Sequence, residues 1–295
     1  MDISIVITNF NGKELLAKNL PFVITAAKNK KNNIREIIVS DDASTDDSIK
    51  FLKDNFGKDV RIVVQKINKG FASTTNLGVR AAKGELVCLL NNDVIPSSNF
   101  LETMNEDFED SRVFAVSLHE KGFGYAKGKF KDGFIVHQGM PETTKVEENF
   151  WASGGSSVIR RDIFMELKGM DDVLLPFYWE DIDLSYRAQK RGYKILWNPQ
   201  ANVVHNHEST YSKLDQKYVS RIRERNQLLF IWKDLTSTNL IRKHRIALIK
   251  KVLRHPGYLR IILMARKKYS KVIELHKKEL RETKVSDEAV FGKFN

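Results

Sequence analysis

Three short apolar runs, each ending in a polar turn and each followed by a helix-like stretch, constrain this chain more than any other feature. Residues 3–7 run into Thr8-Asn9-Phe10-Asn11-Gly12, residues 36–40 into Asp41-Asp42-Ala43-Ser44-Thr45-Asp46, and residues 84–90 into Asn91-Asn92-Asp93. The last run lacks polar alternation, the pattern of a strand buried on both faces. Strand, polar turn, helix and strand again predicts right-handed βαβ crossovers, which align all three strand ends on one edge. Open parallel sheets bind ligands at that edge. A carboxylate there, Asp93 foremost, is placed to meet a metal or a phosphate-bearing ligand.

Each turn also has a local reading. Asp41 and Asp42 suit the position before a helix, and Pro96-Ser97-Ser98 reads as a helix start that Asn91-Asn92-Asp93 would cap. Three such turns on one edge favour a ligand site over three separate caps. Farther on, Glu180-Asp181-Ile182-Asp183 opens a helical segment that runs to Arg191 and stops at Gly192, with Asp183 four residues before Arg187 and able to pair with it. Acids also favour a helix N-terminus through its dipole.

In order and spacing these motifs resemble the family 2 glycosyltransferases. The resemblance covers roughly residues 1–210. It rests on Ile5-Val6-Ile7-Thr8-Asn9-Phe10-Asn11, Val39-Ser40-Asp41-Asp42-Ala43-Ser44-Thr45-Asp46, Asn68-Lys69-Gly70-Phe71 with Asn76 and Gly78, and Asn91-Asn92-Asp93. It continues through Trp151-Ala152-Ser153-Gly154-Gly155, Arg160-Arg161 and Trp179-Glu180-Asp181-Ile182-Asp183-Leu184 with Arg187 and Gly192. The spelling is most similar to rhamnosyltransferase-like members of bacterial surface polysaccharide synthesis. The resemblance implies an α/β chain of GT-A fold, with a Rossmann-like, mostly parallel central sheet flanked by helices. Residues 1–210 would be the catalytic domain, its donor half about 1–118 and its acceptor and base half about 119–210. Residues 211–295 would be a basic amphipathic helical region.

The same resemblance assigns roles. Asp42 would accept the ring N–H of uracil or thymine beside Thr8, and Asn9, Asn68, Gly70, Asn76, Asn91 and Asn92 would complete the donor nucleotide site. Asp93 would hold a divalent cation, Mg or Mn, together with phosphate oxygens, as hard cations do. His205 is the candidate second ligand, with His207 as its substitute two residues on; an isolated His is otherwise an ordinary hydrogen-bonded residue. Asp181 would be the base of an inverting displacement, with Glu180 lining the acceptor pocket or steadying it. Trp151, Gly154, Gly155 and Trp179 would shape the acceptor and sugar site, Trp151 having core packing as its alternative. The chain departs from the family at Asn91, where many relatives carry Asp; an amide still bonds a ribose hydroxyl but adds no charge.

Composition fits this reading. With 295 residues, 42% of them hydrophobic, the chain can bury a large α/β core. One cysteine, Cys88, allows no internal disulfide and suits a reducing compartment. Met1-Asp2-Ile3 leads straight into a strand, which reads as no signal peptide, and no apolar run approaches the roughly 20 residues of a membrane span. The expected location is the cytoplasm, peripheral to the inner face of the cell membrane.

Charge is uneven. Residues 211–295 hold 22 Lys and Arg against 8 Asp and Glu, while the first 210 residues sum to −2. Basic clusters interleaved with aliphatic residues suit an anionic membrane surface and so a lipid-linked acceptor; solvated helices packed on the catalytic domain are the other use of such a sequence. Nucleic acid is not expected as a partner, because no recognition motif accompanies the charge. An oligomer is possible. Pro256-Gly257 is expected to break the helical tail in two, and residues from about Lys284 to be frayed. Glycines and aromatics over 119–150 predict a hairpin or flap between the catalytic halves. Two functions compete: a metal-dependent glycosyltransferase, and a catalytically weak nucleotide-sugar or glycan-binding subunit of a polysaccharide assembly complex. Intact Asp42, Asp93 and Asp181 favour the enzyme. A nucleotidyltransferase would want a Gly-rich, basic phosphate loop after the first strand, which Thr8-Asn9-Phe10-Asn11-Gly12 lacks.

Overall fold

The computed structural model describes residues 1–205 and 214–294. From the N-terminus run β1 (Ile3–Asn9), α1 (Lys13–Lys28), β2 (Ile34–Asp41), α2 (Ser48–Phe56), β3 (Arg61–Val64), α3 (Phe71–Ala81), β4 (Leu86–Asn91), β5 (Val94–Pro96) and α4 (Met104–Asp107). Next come β6 (Val113–Glu120), the hairpin β7 (Ala126–Lys131) and β8 (Phe134–Gly139), β9 (Glu147–Glu148), β10 (Ser156–Arg160), α5 (Arg161–Glu166), α6 (Glu180–Lys190) and β11 (Lys194–His205). The chain then continues as α7 (Gln216–Asp234), α8 (Thr238–Arg254), α9 (Leu259–Arg266), α10 (Tyr269–Glu282) and α11 (Asp287–Gly292).

The central sheet has the order β3-β2-β1-β4-β10-β6-β11-β5, with β9 beside β11. It is parallel from β3 to β4 and mixed beyond, because β10 inserts antiparallel between β4 and β6. Register sets Thr8 abreast of Ser40 on one side and Asn91 on the other, so the three expected strand ends are level. Alternate residues of β1 serve opposite layers. Ile3, Ile5 and Ile7 join Leu16, Leu20 and Val23 of α1, while Val6 joins Ala72 and Val79 of α3. Both faces are therefore apolar, which is why these strands show no polar alternation. Each such fully buried aliphatic contributes about 1.5–3 kcal/mol of transfer free energy. A Cβ at Gly78 would lie 2.3 Å from Val6 Cγ1, so α3 reaches the sheet only because that position has no side chain. Cys88, in β4, is completely buried on the α1 side.

The C-terminal helices pack on α6. Leu228, Leu229 and Phe230 of α7 share a core with Trp179, Ile182 and Tyr186 and with Val290 and Phe291 of α11. Beneath that core, buried Lys190 pairs with buried Asp287, Lys233 with Asp183, and Arg191 with Glu279. The tail's end is thus ordered rather than frayed. Lys284 and Val285 donate backbone N–H bonds to the Lys190 carbonyl, Ser286 caps α11, and Phe294 is buried. Asp287, one of its polar residues, is the partner of Lys190, far away in sequence. The chain does turn at Pro256-Gly257, but it also breaks at 235–237, 267–268 and 283–286, giving more helices than the two expected. Among the described residues no helix is long and apolar enough to cross a membrane.

Candidate active site

A cavity of about 280 Å³ opens at the carboxyl ends of β1, β2 and β4. Thr8, Asn9, Asp42, Asn68, Gly70, Asn91, Asn92 and Asp93 all line it. Asp42 follows the end of β2, and its two carboxylate oxygens accept the backbone N–H groups of Lys69 (2.8 Å) and Gly70 (2.7 Å). That draws the start of α3 to the strand ends, with Gly70 at φ +84°, a conformation glycine adopts without strain. Neighbouring Asp41 is different. It is wholly buried and spends its oxygens on Asn9 Nδ2 and on the Ser44 amide and hydroxyl, so it is a turn former.

A polar lattice fixes the rest of this rim. Asn92 donates to Asn9 Oδ1 (2.9 Å), and Asn19 donates to the Asn92 carbonyl (2.8 Å). The Asn91 amide N–H bonds the Gly155 carbonyl at 2.8 Å, and a Cβ at Gly155 would meet Asn91 Nδ2 at 2.4 Å. The Gly154-Gly155 bend therefore rests directly on the end of β4. Asn76 lies elsewhere. Both ends of its amide are engaged by the backbone of Met170, at 2.8 and 2.9 Å, and it does not line the cavity. Its role is to tie α3 to the segment before α6.

Antiparallel pairing of β5 with the end of β11 sets His205 opposite Val94 and so against Asp93. His205 Nε2 lies 3.0 Å from Asp93 Oδ1, and its Nδ1 lies 3.1 Å from Glu120 Oε1, which also accepts the Ser156 hydroxyl at 2.6 Å. Burial opposes the imidazolium charge, but the bonds to Asp93 and Glu120 outweigh it and push the His205 pKa up to about 9. Carboxylate, imidazole and a second carboxylate behind the ring form the arrangement by which proteins orient a metal-binding His. No cluster of three or more ligands occurs among the described residues. The donor set fits a divalent cation that takes its remaining ligands from phosphate and water. His207 falls outside the described residues. Glu120 was not foreseen, although it ends β6 on this same sheet edge and the strand-end argument applied to residues 113–118 would have found it.

A second cavity, about 520 Å³, begins on the other side of this pair. His205, Glu120, Ser153 and Trp151 line it, together with Phe123 and Met140 from the loops flanking the β7–β8 hairpin. Asp93 lines the first cavity and His205 the second, so their 3.0 Å contact joins the two linings. Trp151 meets the edge of His137 at 4.6 Å.

Glu180 and Asp181 of α6 line neither cavity; Asp181 is linked to them through Gly154, next to Ser153 of the second. Tyr178 and Trp179 hold φ of +70° and +79°, costly for bulky residues, and the backbone is kept there by α7. Asn226 Nδ2 donates toward the carbonyls of Phe177 (2.8 Å), Tyr178 (2.9 Å) and Leu174, and Arg225 donates to Leu175 (2.6 Å). Asp181 accepts the Gly154 N–H at 3.3 Å, which ties it to the bend that touches Asn91. Burial raises its pKa. Burial, followed by the charge of Asp181, pushes Glu180 up to about 8, and one Glu180 oxygen has no hydrogen-bond partner. For Asp183 burial is overcome by Lys233 and Arg187, which hold its carboxyl well below the usual range. The expected Asp183–Arg187 pair is present at 2.9 Å. Trp179 does not face a sugar site: it is 6% exposed and stacks on Phe230 at 5.3 Å, because α7 supplies an apolar floor that sequence alone does not place.

A family model described as Glycosyl transferase family 2 matches residues 4–168. The chain is similar to Glycosyltransferase GlyG of Streptococcus pneumoniae serotype 4, 28% identical over an alignment of 180 residues that covers 56% of this chain and 58% of that protein. Its structure is similar to that of GalNAc-T7 with UDP, GalNAc and Mn2+, with a TM-score of 0.65 and 18% identity over 88% of this chain and 57% of the other. It is also similar to S. aureus TarS 1-349 in complex with UDP-GlcNAc, with a TM-score of 0.57 and 14% identity over 88% and 75% of the two chains. The fold is thus GT-A, a curled mixed sheet between helical layers. The chain spans 24%, 58% and 38% of the lengths of three curated relatives that it matches.

Proposed function

The chain belongs to glycosyl transferase family 2, and on that premise we propose that it moves a hexosyl or rhamnosyl unit, with inversion, from a UDP- or dTDP-sugar to a hydroxyl of a glycan or lipid-linked acceptor. The setting is bacterial surface-polysaccharide synthesis at the inner face of the cell membrane. One observation carries the reading: side chains from three strand ends line a single cavity, and the contact of its Asp93 with His205 joins it to the lining of a second. The UDP-containing neighbours support the donor class and the Mn2+ of GalNAc-T7 supports a divalent cation.

In this mechanism Asp42 and Thr8 receive the base, and Asn91 the ribose. Asp93 and His205 would hold the cation, with Glu120 orienting the imidazole. A bound cation there supplies neutralisation of the charge that develops on the departing diphosphate. The acceptor sits in the second cavity against Trp151. Asp181, held by the Gly154 N–H beside Ser153 of that cavity's lining, takes the proton of the attacking hydroxyl, and its burial raises its basicity. Glu180, whose pKa of about 8 keeps it mostly protonated at neutral pH, limits the negative charge at the start of α6.

Thermal shift with a panel of nucleotide sugars, with and without manganese, tests the donor assignment, because a ligand that binds only the native form raises Tm. UDP- or dTDP-sugars are expected to stabilise the protein more with manganese present. A panel that leaves Tm unchanged in both conditions would overturn the assignment.

A further inference from the structure

Between Asp234 and Glu274 the sequence has no Asp or Glu, yet it carries 11 Lys and Arg. Two of these point inward: Lys251 lies 3.9 Å over the Tyr258 ring, and Lys268 donates to the carbonyls of Val173 and Leu175. Arg242, Lys243, Arg245, Lys250 and Arg254 of α8 are exposed and make no ion pair among the described residues.

The same helix has two apolar sides. Leu240, Leu248 and Val252 pack into the core shared with α6 and α7. Ile246, Ile249 and Leu253 form a second stripe at spacings of three and four residues, and they are 48%, 62% and 76% exposed. This outward stripe does nothing for the packed fold. Past Pro256-Gly257, α9 adds Leu259 and Leu263, 49% and 52% exposed, beside exposed Arg260. Lys243, Ile246, Lys250 and Arg254 also line a groove of about 780 Å³ against Phe130 and Phe134 of the hairpin.

We propose that the outward face of α8, continued by α9, docks on an anionic phospholipid bilayer, its aliphatic stripe entering the headgroup boundary, its cations meeting lipid phosphates and the groove receiving a headgroup. The pairing of chemistries decides the partner. Unpaired cations attract any polyanion, but Ile249 and Leu253 would stay in water against a nucleic-acid backbone, whereas a bilayer buries them. The inference deepens the membrane placement proposed above and does not depend on the transfer chemistry.

Co-sedimentation of the whole chain with phosphatidylcholine vesicles, with and without 30% phosphatidylglycerol, tests it at low and high salt. Binding is expected only with phosphatidylglycerol and is expected to weaken at high salt. Each cation near the surface is worth about fivefold in partition, so K250E/R254E should bind more than tenfold more weakly. I249S/L253S should also weaken binding although no charge changes. Asp181→Asn should bind as the unmodified protein does, so loss of transfer and loss of docking are read separately. Equal binding to both vesicle types overturns the proposal. So does unchanged vesicle binding by I249S/L253S, or tighter binding of a single-stranded RNA oligonucleotide that only K250E/R254E impairs.

Discussion

Asp181 and Glu180 stand side by side at the start of α6, both with raised pKa values, yet their assigned chemistry differs. If Asp181 receives the acceptor proton, Asp181→Asn should lower the transfer rate about 10²–10⁴-fold, the usual contribution of a general base, while the manganese-dependent Tm rise with donor persists. Single-turnover release of nucleoside diphosphate measures the first and thermal shift the second. Glu180 predicts a pH effect on stability. Its pKa is near 8 in the native state and near 4.5 ordinarily, so below about pH 4.5 both states hold the proton. Between those values the unfolded chain releases it and the native one keeps it, and native stability falls as pH rises through that window. Glu180→Gln removes this loss. Its Tm relative to the unmodified protein should therefore climb between pH 5 and pH 8.5, and a constant difference would contradict the assignment. The residues that line the cavity at the strand ends were legible because strand ends are marked by apolar runs. Trp179 and Asn76 were not, because what claims them, Phe230 and the Met170 backbone, lies about 50 and 94 residues away in the chain.

At the scale of elements, α6 depends on α7. Asn226 fixes the carbonyls of the segment that leads into Tyr178 and Trp179, and Asn226→Ala leaves at least two of them without that donor. The expected cost is about 2–3 kcal/mol, from a penalty of about 1–3 kcal/mol for each unsatisfied buried group, measurable by urea unfolding. Donor affinity, which the proposed function assigns to the ends of β1, β2 and β4, should change less than turnover. The strand-turn-helix order over the first 90 residues was readable because each crossover is local. Insertion of β10 between β4 and β6 was not, since antiparallel pairing across the sheet leaves no mark on the sequence of either strand.

Across the whole molecule, the C-terminal helices are a foundation for α6 as well as a basic surface. Asp287 near the end of the chain accepts from Tyr186 (2.7 Å) and from the backbone N–H groups of Thr236 and Ser237 (2.7 and 2.6 Å), and it pairs with buried Lys190. Asp287→Ala strands that lysine, and breaking a buried pair costs about 3–5 kcal/mol. The expected result is a large fall in the urea midpoint. A change under 1 kcal/mol would mean that solvent reaches the site. Composition announced the tail's charge but not this use of it, because an acid that neutralises a distant buried lysine looks in sequence like any other polar residue near a terminus.

Cys88 is the chain's only thiol, and it is sealed inside β4, where burial also pushes its pKa up. Maleimide and other thiol-directed labels should leave the unaltered protein unmarked. A cysteine installed at position 249 would then be the sole attachment point for an environment-sensitive dye, and the native background needs no prior removal of sulfur.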